Sequence, residues 1–132
     1  MPVDRPEAGS PQDWLRHARS DLALCRAALP EDALLETLCF HAQQAAEKAI
    51  KSVLVAHRIP VQKTHNLRTL LESLPKSVQA PAQVQDAAAL SDYAVQTRYP
   101  VQAEPVTEEE FHQAVVSADF VVRWAEEMVR HL

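Results

Sequence analysis

Residues 32–58, DALLETLCFHAQQAAEKAIKSVLVAHR, decide the fold. One apolar stripe recurs at helical steps through Leu34, Leu38, Ala42, Ala45, Ala49, Val53 and Ala56. A second, adjoining stripe runs through Leu35, Cys39, Ala46, Ile50 and Leu54. A helix this broadly apolar buries itself against more than one neighbour, so the segment reads as the central helix of a bundle. Ala42, Ala45, Ala46 and Ala49 carry little bulk and admit close helix approach. At 1.5 Å per residue the segment would extend about 40 Å, and Pro60 prevents its continuation.

Upstream, Ser10 is a candidate N-cap, with Pro11 at the first helical position and Asp13 complementing the positive end of the dipole. Trp14, Ala18, Leu22, Cys25 and Leu29 form one stripe, which Pro30 ends. Residues 1–9 read as a flexible tail and 10–132 as a single helical domain. Downstream, 64–75 reads as a short helix capped by Thr64 or Asn66, with Leu67, Leu70, Leu71 and Leu74 inward. A fourth helix opens at Pro81, carries Val84, Ala87, Ala88, Leu90, Ala94 and Val95, and stops at Pro100. The last begins at Thr107, where Glu110 completes a capping box, and turns Phe111, Ala114, Ala118, Val121, Ala125, Met128 and Leu132 inward. The expected fold is all-α: an up-and-down helical bundle of four long helices plus one short helix.

Composition narrows the function. The chain has 132 residues, about one domain, and its 47% hydrophobic and 23% charged content belongs to a globular protein rather than a disordered one. A single Gly excludes the glycine-rich phosphate loops. Cys25 and Cys39 both sit in apolar helical patterns, as free thiols do, and neither a secretory leader nor a membrane-length apolar run is visible. The expectation is a reduced, cytoplasmic protein with no membrane association. Its net charge of −5 is unevenly spread. Lys48, Lys51, Arg58, Lys63, Arg68 and Lys76 face only Glu47 and Glu72 within 41–76, whereas 101–132 is strongly acidic. Such asymmetry steers an anionic ligand to one face, or is an ordinary solvated surface.

Six histidines invite a metal site, but none has the spacing of known ligand sets, so no metal and no cofactor is expected. Arg58 and His65 stand in an R-x6-H arrangement across the turn after the central helix. An Arg fork can bind phosphate while an imidazole moves a proton, which suffices for metal-independent RNA cleavage. The structural alternative is that Arg58 complements the helix's negative end and His65 helps to cap the next helix. Tyr93, Arg98 and Tyr99 lie at the end of the fourth helix, where a solitary Arg among aromatics can clamp a phosphate or stack on a base. Dipole pairing and amphipathic packing explain the same residues equally well.

FHAQQAAEKAIKSVL (40–54), THNLRTLLESL (64–74) and LSDYAVQTRYP (90–100) together resemble the HEPN family, the higher eukaryotes and prokaryotes nucleotide-binding domain, in its small stand-alone prokaryotic form. The resemblance covers Trp14 to Leu132. It implies a compact helical bundle, a homodimer, and a partnership with a minimal nucleotidyltransferase in a toxin–antitoxin-type pair. In the family's active toxin branch an R-x4-6-H motif late in a long helix cleaves RNA. Arg98 matches that motif's Arg, but no His follows at the required spacing, since 102–105 are Gln, Ala, Glu and Pro. The resemblance therefore favours nucleotide or partner binding through Lys48, Lys51, His65, Tyr93, Arg98 and Tyr99. The alternative is an endoribonuclease toxin using an Arg/His pair drawn from Arg98, His65 and Arg58.

Overall fold

The structure, a computed structural model, describes residues 5–27, 30–96 and 105–132. Every regular element among them is helical: α1 Pro11–Arg26, α2 Leu35–Ala56, α3 Leu67–Glu72, α4 Ala82–Asp86, a 3-10 turn Ala87–Leu90, α5 Ser91–Gln96 and α6 Glu108–Arg130. The all-helical bundle is as the periodicity requires. α2 packs most extensively on α1 and α6, and also meets α3, α5 and the 3-10 turn. It is the central helix that its double stripe demands, with Ala42, Ala45, Ala46, Ala49, Ile50, Val53 and Leu54 all removed from solvent. The alanines let α1 and α6 approach closely, and Ile50 and Leu54 each contribute roughly 1.5–3 kcal/mol by burial.

The ends of the helices follow local chemistry. Ser10 Oγ accepts from Asp13 N at 3.2 Å, with Pro11 opening α1. Gly9, at φ 79°, lets its own N–H turn back to Asp13 Oδ2 at 3.1 Å. Asn66, rather than Thr64, caps α3, its Oδ1 accepting from Arg68 N and Thr69 N. Thr107 and Glu110 form the expected capping box of α6. Just before it, Val106 N donates to Glu36 Oε1 of α2 at 2.9 Å, which fixes where α6 begins.

Several details depart from the sequence reading. α2 begins at Leu35 and ends at Ala56, shorter at both ends than 32–58, and its start has no side-chain cap. Leu15 takes the core position beside Ala18, while Trp14 is half-buried over the flank of α2. The fourth helix is not one continuous rod but α4, the 3-10 turn and α5 laid end to end. Apolar periodicity registers the buried side chains Val84, Ala87, Ala88, Leu90 and Ala94 but not the tightening of backbone between them.

Candidate ligand-binding site

Gln43, Glu47 and Lys51 follow one another at steps of four and so share one face of α2. This face is buried: Glu47 is 3% exposed and Gln43 is wholly enclosed. Lys51 Nζ donates to Glu47 Oε2 at 2.8 Å and lies 5.6 Å from the centre of the Trp14 ring. Gln43 Nε2 donates to Glu47 Oε1 at 3.0 Å and to the backbone carbonyl of His65 at 3.1 Å. His65 Nδ1 meets Glu47 Oε1 at 2.8 Å.

Burial by itself would raise the Glu47 carboxyl, but the hydrogen bonds from Lys51, Gln43 and His65 outweigh it and hold the group below the usual carboxylate range. Glu47 is therefore ionised, an acceptor only, and His65 Nδ1 is the donor. Among the described residues the other ring nitrogen, Nε2, has no hydrogen-bond partner, and the side chain keeps 52% of its exposure. A carboxylate-oriented imidazole at the surface can accept from a hydroxyl as a base or, once protonated, donate to phosphate.

A second acid-centred cluster ties α1 to α2. Asp21, also buried, meets His41 Nδ1 at 3.0 Å and accepts from Lys48 Nζ at 2.6 Å. Lys48 and Lys51, expected to lend positive charge to a ligand, are thus each bonded to an internal carboxylate. The sequence reading singles out none of Asp21, His41, Gln43 and Glu47 as a site residue. The Q-x3-E-x3-K spacing is the available signal for the Glu47 network, and the dominant apolar stripes of α2 obscure it.

The remaining candidates are dispersed. Arg58 lies just past the end of α2, while His65 is bonded at Glu47; the nine residues from Glu47 to Ala56 set them about 14 Å apart along the axis. Arg58 has φ 60° and makes the left-handed exit of a Schellman motif, with Arg58 N donating to Val55 O and Ile59 N to Leu54 O. Tyr93 of α5 is hydrogen-bonded with Cys39, and burial, followed by nearby Cys39 and Glu110, pushes its hydroxyl up to about 12. Cys39 precedes Gln43 by one turn on the same side of α2, so Tyr93 and His65 meet one strip of that helix about 12 Å apart along it. Arg98 and Tyr99 lie outside the described residues.

Both cysteines are buried and unpaired, and burial raises each thiol to about 11. Among the described residues no three His, Cys, Asp or Glu side chains converge on a metal-sized site, and no helix is long and apolar enough to cross a membrane.

A central helix flanked by two long ones, with a polar network holding a surface imidazole, defines a helical-bundle domain. The HEPN domain model matches residues 11–128, and the chain belongs to the HEPN family. Its structure is similar to that of TT1696 from Thermus thermophilus, with a TM-score of 0.80 and 33% identity over 91% of this chain and 98% of that one. It is also similar to ST0689, an archaeal HEPN homologue, with a TM-score of 0.71 and 26% identity over 91% of this chain and 98% of that one. A comparison with curated proteins gives no match.

Proposed function

We propose that this HEPN chain is a nucleotide-binding and interaction module, acting as a homodimer beside a minimal nucleotidyltransferase in a toxin–antitoxin-type pair in the cytoplasm. The observation that carries the reading is the Glu47-held imidazole of His65. Its Nδ1 is fixed by a buried carboxylate and its side chain is half exposed. A buried ion pair is a poor device for stability alone, because desolvation offsets much of its attraction. Placed behind a half-exposed His, the same pair makes sense as an orienting device. In this reading His65 and Arg98 contact phosphate and Tyr93 and Tyr99 border the base, while Lys48 and Lys51, paired with Asp21 and Glu47, hold the supporting network in place.

The test is calorimetric titration of the purified chain with ATP, GTP, CTP and UTP, repeated on His65→Ala and Arg98→Ala. Binding by the wild type that falls at least tenfold in both variants, with unchanged melting temperature, supports the reading. Equal binding by wild type and variants overturns it.

One observation favours an enzymatic second reading: a base oriented by a carboxylate is also the arrangement of a general base. A metal-independent endoribonuclease would cleave RNA in EDTA and lose that activity in the same two variants. Intact RNA after incubation with clean wild-type protein would remove the endoribonuclease reading and leave the binding one.

A further inference from the structure

Trp14 opens the apolar stripe of α1, yet the core position beside Ala18 belongs to Leu15, and the indole lies half-buried against α2. Lys51 Nζ stands 5.6 Å from the centre of its ring, within the range at which an aromatic face attracts a cation. That ammonium is short of other partners. The Lys51 side chain keeps only 9% of its exposure, and among the described residues its one hydrogen-bond acceptor is Glu47 Oε2. An ammonium carries three N–H donors, and burying a charge with too few partners is costly. The π face of Trp14 supplies negative potential where no second acceptor stands.

This contact gives α1 a hold on the candidate site. Glu47 uses one oxygen, Oε2, for Lys51 at 2.8 Å. The other, Oε1, serves both Gln43 Nε2 at 3.0 Å and His65 Nδ1 at 2.8 Å. The direction in which Oε1 meets the imidazole therefore depends on where Lys51 holds Oε2. Lys51 in turn is held by the indole. The Asp21 unit, with His41 Nδ1 at 3.0 Å and Lys48 Nζ at 2.6 Å, has its own lysine and serves as an internal control.

We infer that Trp14 is a positioning residue: acting through Lys51 and Glu47, its ring holds the His65 imidazole in the orientation that ligand binding uses. The inference rests on the His65 site of the proposed function and adds a determinant on α1 that stands behind it.

The test reads the tautomer of each histidine from long-range nitrogen–proton spectra of the isotopically labelled full chain, at a pH where the rings are neutral. His65 is assigned by the signals that His65→Ala loses. In the wild type His65 should carry its proton on Nδ1, facing Glu47, whereas a free imidazole prefers Nε2. Trp14→Leu keeps apolar bulk but no π face. It should move His65 towards the Nε2–H form and weaken nucleotide binding by about threefold or more, the scale of one lost cation–π contact. Trp14→Phe keeps a π face and should stay near the wild type, and His41 should hold its tautomer in both variants. In a Lys51→Met background the Trp14→Leu change should be silent at His65, because the route through the ammonium is already gone. An unchanged His65 tautomer in Trp14→Leu overturns the positioning role. Equal shifts in Trp14→Leu and Trp14→Phe, or a further shift on top of Lys51→Met, overturn the route through the aromatic face and the ammonium. A wild type that binds no nucleotide overturns the proposed function instead, while the tautomers still decide the role of Trp14.

Discussion

Asp21 and Glu47 are two buried acids that each hold a lysine and a histidine, yet they tie together very different parts of the molecule. Asp21 reaches from α1 to His41 and Lys48 of α2, two helices already joined through Leu15, Ala18, Leu22 and Cys25 in the same apolar core as Ala45 and Ala49. Glu47 and Gln43 instead reach from α2 to the segment that returns from α2 to α3. From His57 to Asn66 no residue of that segment is fully buried. Apolar packing already secures α1 beside its polar ties, but it has little grip on residues 62–66. Polar bonds there carry a positional task that the core cannot perform, which is why their loss should be felt both in stability and at His65.

The contrast is broken most directly by removing each acid. Glu47→Ala should cost about 3–5 kcal/mol in denaturant unfolding, because it leaves Lys51 charged, buried and without its carboxylate. Amide exchange should accelerate at residues 62–66 in that variant. Asp21→Ala should cost about 1.5–3 kcal/mol, the worth of hydrogen bonds to a charged group whose surroundings stay packed, and should leave exchange at 62–66 unchanged. Equal losses with equal exchange in the loop would show that the two acids do the same work. The acid limb of the stability profile separates them further. The Glu47 carboxyl is held below its unfolded value, so its contribution is present above the ordinary carboxylate range near pH ~4.3 and is lost as pH falls through the lower folded value. Glu47→Gln should flatten that acid limb.

The difference between the two regions also separates what is legible in the sequence from what is not. Long apolar stripes announce a helix and its buried face, so α1, α2 and α6 can be placed within a few residues from Ala18, Leu22, Ile50, Leu54, Ala118 and Val121 alone. Capping chemistry is equally local, and Ser10, Asn66, Thr107 and Glu110 act where a short window of sequence says they should. Glu47 and Asp21 are another matter. On a helical wheel each is one more charge near an apolar stripe, and its meaning depends on residues 18 to 20 positions away, His65 and His41. The interrupted fourth helix is hidden for a related reason, since a 3-10 turn preserves inward-facing Ala87, Ala88 and Leu90 while changing the backbone.

Arg58 allows the loop itself to be adjusted without touching either acid. It holds a left-handed conformation, φ 60°, in the position where helices most often place Gly. Arg58→Gly should therefore raise stability by about 1 kcal/mol, read as a higher denaturation midpoint at constant slope. A loss instead would mean that the Arg58 side chain makes a contribution larger than its backbone strain.

His65→Ala should have the smallest effect on stability and the most specific one on function. Glu47 keeps Lys51 and Gln43, and Gln43 still bonds the backbone carbonyl of residue 65, so the loop stays tied after the ring is gone. The ring itself is half in solvent, and its removal should cost less than about 1 kcal/mol. If the buried network exists to orient the imidazole, nucleotide binding should fall in His65→Ala at essentially wild-type stability. It should fall again in Glu47→Gln, through a ring that is present but no longer held. Normal binding in Glu47→Gln beside lost binding in His65→Ala would mean that the imidazole needs no support from behind. The polar network would then be a clamp for residues 62–66 alone, and the two acids would differ only in which piece of backbone they secure.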